Sequence, residues 1–189
     1  MSTSFHLSLH EYNRMVVRGA FDVLNRKIEL IRGKLVEMNP AGPVHDDYID
    51  YLMEWSFRST DRNRIRIRGQ TGINIAASDS RPEPDVFWVV AKRYLDSHPT
   101  GKDTWLVIEV ADSSLESDLT VKTPVYAEAG IQEYWVIDVR NRCIHVMREP
   151  NCDGSYHSQR IVRPGETLSP MAQENACLDL VDLFGVDQQ

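Results

Sequence analysis

The chain has 189 residues, 42% of them hydrophobic and 26% charged, which excludes a disordered chain and fits one compact domain over residues 1–189. A net charge of −7 excludes a protein that coats nucleic acid by bulk electrostatics, so any phosphate contact must be local. Cys143, Cys152 and Cys177 show no CxxC spacing, Met1-Ser2-Thr3-Ser4-Phe5-His6 shows no leader pattern, and no apolar run reaches bilayer length, so no disulfide framework, zinc knuckle or membrane segment is expected and a reducing cytoplasm fits best.

In chain order, Ser8-Leu9-His10-Glu11 carries the capping-box pattern, in which each side chain satisfies a free backbone donor of the other, and predicts a short helix to about Gly19. Ile28-Glu29-Leu30-Ile31 and Lys34-Leu35-Val36-Glu37-Met38 flank Arg32-Gly33 and read as a hairpin. Asn39-Pro40-Ala41-Gly42-Pro43 breaks the pattern. Val44, Tyr48, Leu52 and Trp55 then recur at helical spacing, predicting an amphipathic helix from Val44 to Arg58 that packs on a sheet. Arg64-Ile65-Arg66-Ile67-Arg68 alternates as a half-exposed strand does, and Ile73 and Ile75 continue an extended pattern. Pro84 to Val90 and Thr104 to Val110 are nearly continuous apolar runs and read as central strands buried on both faces. A polar loop from Asp112 to Ser117 leads into a helical pattern that ends at Ala129-Gly130, where Gly is the expected residue past a helix terminus. Glu133 to Asp138 returns as a strand, and beyond Cys143 shorter strands alternate with turns at Asp153-Gly154 and Pro164-Gly165. This order predicts an α/β fold with a mixed sheet, its last connection a right-handed crossover.

The chemistry lies in acids planted within hydrophobic strands. Asp85 opens one apolar run and Glu109 lies inside another. Burying an unpaired carboxylate costs several kcal/mol or forces it neutral, so two converging on one sheet edge demand a partner. A divalent cation is the simplest. Hard oxygen ligands point to magnesium or manganese, which use one or two carboxylates and fill the other positions with water and phosphate oxygens. Lys122 follows Asp118 by four residues and precedes Tyr126 by four, so a continuous helix would turn all three toward one side, facing the acids. A lysine there could orient or help deprotonate an attacking water and stabilise charge developing on a phosphate.

Pro84-Asp85, Ile108-Glu109-Val110, Asp118 and Lys122, followed by Tyr126-Ala127-Glu128-Ala129-Gly130-Ile131-Gln132-Glu133-Tyr134-Trp135-Val136-Ile137-Asp138, resemble the Uma-two (DUF820-type) family of endonuclease-like proteins. That family belongs to the PD-(D/E)xK restriction-endonuclease-like superfamily. The likeness reaches back to Ile28 through Met38 and His45. It implies a core of a helix, three strands, a helix and a fourth strand, with an N-terminal helix plus hairpin and a C-terminal β extension. It also implies metal held by Asp85 and Glu109 and a lysine moved from the strand to the following helix. The unmodified motif would place that lysine at Ala111, so Lys122 is the carried-over residue. Two positions depart: Arg32 stands where the family usually has Asp, and Pro124 lies within the helix that should present Lys122. Proline fits only the first turn of a helix, which allows a start at Thr123 with Lys122 just outside.

Blander roles stand beside these. Asp118 could anchor the lysine, join an outer metal shell, or simply stabilise a helix dipole. His45 could approach the metal site or be incidental to its helix start, and Glu37 could add a ligand. Tyr126 and Trp135 read as core. Arg64, Arg66 and Arg68 share one face and could hold phosphates, or form a solvated face that pairs with acids or a dimer partner. No Gly-rich loop follows a strand and no nucleophile elbow is present, which sets aside nucleotide-cofactor enzymes and serine or cysteine hydrolases. The leading expectation is a magnesium- or manganese-dependent endonuclease acting on DNA, as a homodimer because cutting both strands suits a symmetric pair. The alternative is a catalytically weak or silent relative that serves as a nucleic-acid-binding or dimerisation module.

Overall fold

The computed structural model of the chain describes residues 5–24, 26–38, 40 and 42–185. Asn39 and Ala41 of the expected breaker, and Met1 to Ser4, lie outside them. Helix α1 (Leu9–Val17) starts on the Ser8–Glu11 capping box and ends where Gly19 takes a φ of +70°. The hairpin β1 (Ile28–Ile31) and β2 (Lys34–Glu37) turns through Arg32 and Gly33, with φ of 49° and 72°. A two-residue turn needing positive φ at both positions favours Asn or Asp ahead of Gly, so an arginine at residue 32 is strained where an aspartate would not be.

The main sheet has six strands in the order β3 (Ile65–Arg68), β4 (Val86–Val90), β5 (Thr104–Ala111), β6 (Glu133–Asp138), β7 (Cys143–Pro150) and β8 (Tyr156–Val162). Only the β5–β6 pair is parallel, as the helical crossover between them requires. Helix α2 (Pro43–Ser59) packs Leu52 and Trp55 onto one face against Trp88, Ile108 and Trp135. The same cluster takes in residues from the short pair β9 (Thr167–Leu168) and β10 (Leu178–Asp179) and from α5 (Leu180–Phe184). The opposite face carries Val107, Ala111 and Val136 beneath Val125, Tyr126 and Ile131. Alternation along β5 sends Leu106, Ile108 and Val110 to the first cluster and Val107 and Ala111 to the second, so Glu109 points to the second face.

Three expectations change. The segment between Asp112 and Ser117 is not all loop, because α3 (Leu115–Ser117) already begins there and runs through a π turn (Asp118–Lys122) into α4 (Thr123–Glu128). Ile73 and Ile75 are buried without joining a named strand, and their neighbourhood is tied by isolated bridges at Asn74 and Ile75. The strands beyond Cys143 are not all short: β7 has 8 residues, as many as β5, and with β8 it widens the sheet, whereas β9 and β10 have 2 each. Among the described residues no helix is long and apolar enough to cross a membrane.

Candidate active site

Asp85 sits just ahead of β4, where the preceding Pro84 holds the chain extended and its carbonyl accepts the Gln70 N–H. The antiparallel register of β4 on β5 sets Val86 opposite Ile108, which brings Asp85 beside Glu109. Asp85 Oδ2 accepts the Val110 N–H at 2.8 Å, and Glu109 Oε2 lies 3.4 Å from the Asp85 N–H. Both side chains are buried. His45, in the first turn of α2, brings Nε2 to 3.3 Å from Asp85 Oδ2. That bond, ahead of the opposing effect of burial, raises the imidazole's pKa.

Glu109 Oε1 accepts two hydrogen bonds, from Lys122 Nζ at 3.0 Å and from the Tyr126 hydroxyl at 2.7 Å. Lys122 Nζ also lies 3.6 Å from Glu29 Oε2 and 3.6 Å from Asp118 Oδ1. Asp118 is itself fixed by the Ser114 hydroxyl at 2.6 Å. Thus Lys122 does face the acids, and α4 does begin at Thr123. Pro124 has no N–H to offer the preceding turn, and the chain there widens so that the Thr123 N–H bonds to the Asp118 carbonyl, five residues back. A wider turn brings residues four apart closer into line than an α turn does, which suits the Asp118–Lys122 contact.

Burial is the largest influence on Glu109 and raises its pKa well above the usual carboxylate range, with Lys122 pulling the other way. Burial likewise raises Asp118. For Lys122, burial favours the neutral amine, but Glu109, Glu29 and Asp118 together overturn this and hold it as an ammonium beyond its ordinary range. In this setting Lys122 is held as a cation among buried acids.

One participant went unmarked in the sequence. Glu29, on β1, is buried with Oε1 bonded to the Glu83 N–H at 2.6 Å and Oε2 turned to Lys122. Its signature was the same as that of Glu109, an acid inside an apolar run. Tyr126 is core, as expected, yet its hydroxyl reaches Glu109. Glu37 lines the mouth of the cleft, half-exposed and paired with Arg26 at 2.7 Å. Arg64, Arg66 and Arg68 do not line the cleft; Arg68 donates to Thr71 Oγ1 and lies over Phe87 and Tyr94. Gln70 and Lys27, hydrogen-bonded at 2.9 Å, do line the cleft.

These groups form the floor of an open cleft of about 1110 Å³ between the β1–β2 hairpin, the start of α2 and the helical segment 114–122. Glu29, Glu109 and Asp118 bring three buried carboxyl groups to one ammonium, and buried Asp85 adds a fourth beside Glu109. That excess of negative charge fits a divalent cation. Asp85 and Glu109 are the adjacent pair not both committed to Lys122, and two carboxylates suit a magnesium-type ion.

The Uma2 family model, described as "Putative restriction endonuclease", matches residues 10–180. No curated protein matches the chain significantly. Among solved structures, one similar chain is described as "a putative nuclease belonging to DUF820" from Anabaena variabilis ATCC 29413. It is 15% identical with a TM-score of 0.71, covering 94% of this chain and 97% of its own. At that identity the likeness shows the fold, a six-stranded mixed sheet clad by helices, while the family match rests on the sequence itself. The chain belongs to the Uma2 family of restriction-endonuclease-like proteins.

Proposed function

We propose that the chain is a divalent-metal-dependent endonuclease that hydrolyses phosphodiester bonds of DNA. The observation that carries this reading is the Asp85–Glu109 pair at the floor of an open cleft, with the Lys122 ammonium 3.0 Å from Glu109. Asp85 and Glu109 would hold a magnesium or manganese ion, which when bound supplies Lewis-acid stabilisation of charge on the phosphate and eases deprotonation of the attacking water.

The chain's own residues do the rest. The Val110 N–H fixes Asp85 Oδ2, and Tyr126 and Lys122 fix Glu109 Oε1, so both acids are held before substrate arrives. Lys122 keeps its proton and presents positive charge where negative charge builds in the transition state. Glu29 and Asp118 keep it in place from two other sides. His45 shares Asp85 with the backbone and stands where a proton could pass to or from the cleft. Because cutting both strands of a duplex needs two such sites, a symmetric pair of chains is part of the proposal.

The test is cleavage of plasmid and single-stranded DNA by the wild type beside Asp85→Ala, Glu109→Ala and Lys122→Ala, with chelator controls and with RNA as a parallel substrate. Magnesium- or manganese-dependent cleavage lost in all three variants supports the reading. Equal inertness of folded wild type and variants on every substrate would overturn it in favour of a binding module.

A further inference from the structure

We infer that the β6–β7 hairpin carries a second metal site, of different chemistry from the cleft, formed by Asp138, Cys143 and His145 and suited to a zinc-class transition ion. Register sets Asp138 directly opposite Cys143 at the hairpin end, and His145 follows two residues on, hence on the same face of β7. One ligand atom from each of the three lies within 4.8 Å of the others. Sequence spacing hid this, since no CxxC is present and the three residues meet only through the strand pairing.

His145 Nε2 is buried and has no hydrogen-bond partner, yet it lies 3.7 Å from Asp138 Oδ2. That separation is long for a hydrogen bond. It is within the roughly 3.3–3.8 Å that separates two ligands of a tetrahedral ion bound at about 2.0–2.3 Å. The widest pair would have to close by about 1.5 Å at most to complete three corners. Asp138 already accepts the Asn141 N–H at 3.0 Å on Oδ1 and the Asn141 amide at 2.7 Å on Oδ2. These bonds hold the turn and aim the carboxylate, and each oxygen retains a second lone pair for a ligand. Cys143 is buried, and its thiol would give its proton to solvent on coordination.

Thiolate, imidazole and one carboxylate suit zinc, cobalt(II) or a similar ion, and do not suit magnesium, which takes oxygen ligands. Three protein ligands leave a fourth position, which water can fill because His145 keeps a partly exposed edge. The bound ion would tie the turn of β6–β7 beside Ala111 on β5, the strand that carries Glu109.

Cobalt(II) is the probe, because its thiolate charge-transfer and tetrahedral d–d bands report ligand type directly. The titration uses the full chain with Cys152→Ser and Cys177→Ser, both cysteines being exposed, so that only Cys143 can give a thiolate band. The expected result is one tight cobalt with both bands, displaced by zinc and retained in Glu109→Gln. Cys143→Ser abolishes the charge-transfer band, and His145→Ala weakens binding by at least about tenfold. Because His145 lies near the surface, that second variant keeps the test decisive if Cys143→Ser fails to fold. Absence of a thiolate band in the Cys152/Cys177 background, or unchanged binding in His145→Ala, overturns the site. Neither result touches the cleft reading, which is tested by cleavage.

Discussion

Lys122→Met is the sharpest probe of the cleft. The substitution keeps the side chain's length and removes the one ammonium bonded or close to Glu109, Glu29 and Asp118, at 3.0, 3.6 and 3.6 Å. At an effective dielectric of about 20 each such contact is worth roughly 5 kcal/mol before desolvation is counted. Removing one partner of a buried charge cluster costs about 3–5 kcal/mol net, because the remaining charges stay buried without compensation. The sign with pH follows from Glu109, whose pKa in the folded chain is raised above 4.5, first by burial. Such a group stabilises the fold below its unfolded pKa and loses that stabilisation as pH rises through the folded value. Lys122 normally opposes this rise, so its loss extends the unfavourable range upward. Lys122 itself, with its pKa raised, stays charged throughout. The deficit of Lys122→Met should therefore be small near pH 4.5 and grow toward neutrality. Urea unfolding followed by the fluorescence of buried Trp88 and Trp135, at about pH 5 and about pH 8, measures it. A loss below about 1 kcal/mol at about pH 8, or one equal at both pH values, refutes the account of Lys122 as the counter-charge of this cluster.

Glu109→Gln keeps the shape and removes one of three acids around Lys122, so its urea midpoint should fall little or rise, while metal-dependent cleavage drops by at least about a hundredfold; a variant that unfolds instead would assign Glu109 to structure. At Gly101 an added Cβ would stand 2.2 Å from the Ala129 carbonyl oxygen, so Gly101→Ala should cost about 1–3 kcal/mol in equilibrium unfolding through backbone displacement. Ser8→Ala removes the acceptor of the Glu11 N–H at 3.3 Å; it should destabilise by about 1 kcal/mol and speed amide exchange within α1 while leaving cleavage intact.

Periodicity made the main elements legible because each buries one or two faces. The alternation Ile65, Ile67 against Arg66, Arg68 appears in the structure as buried against half-buried positions. Tyr48, Leu52 and Trp55 of the expected stripe became the face of α2 laid on the sheet, while Val44 at its start is exposed. What stayed hidden depends on pairing between distant segments. Glu29 joins the site only because Leu30 bridges to Arg81 and the hairpin folds over the sheet, neither of which local spacing reports. The rule that an acid in an apolar strand marks function also has its exception in Glu133. That residue is fully buried, yet Arg148, the Trp135 indole and the Met171 N–H satisfy it completely. Its task is to tie β6 to β7 and to the segment after β8. Only the partners distinguish Glu133 from Glu109, and partners are a tertiary property.

The position of the lysine follows from the same packing. A lysine at Ala111 would stand on the Glu109 face of β5, where Ala111 is almost completely buried in the cluster that holds Val107, Val125, Tyr126 and Ile131, with Leu115 and Leu119 packed against it. A long cationic stem there would displace the helical segment that covers the sheet, at a cost of the overpacking kind. Supplying the amine from the helix side leaves residue 111 small, lets Tyr126 lie close over β5, and brings Nζ to Glu109 from the cleft. The π turn ahead of Pro124 serves that arrangement, because Lys122 ends it and points at the carboxylates that its neighbours on α4 and β5 define. Restoring an α turn by Pro124→Ala should therefore loosen the Lys122–Glu109 contact, and would lower cleavage more than it lowers stability.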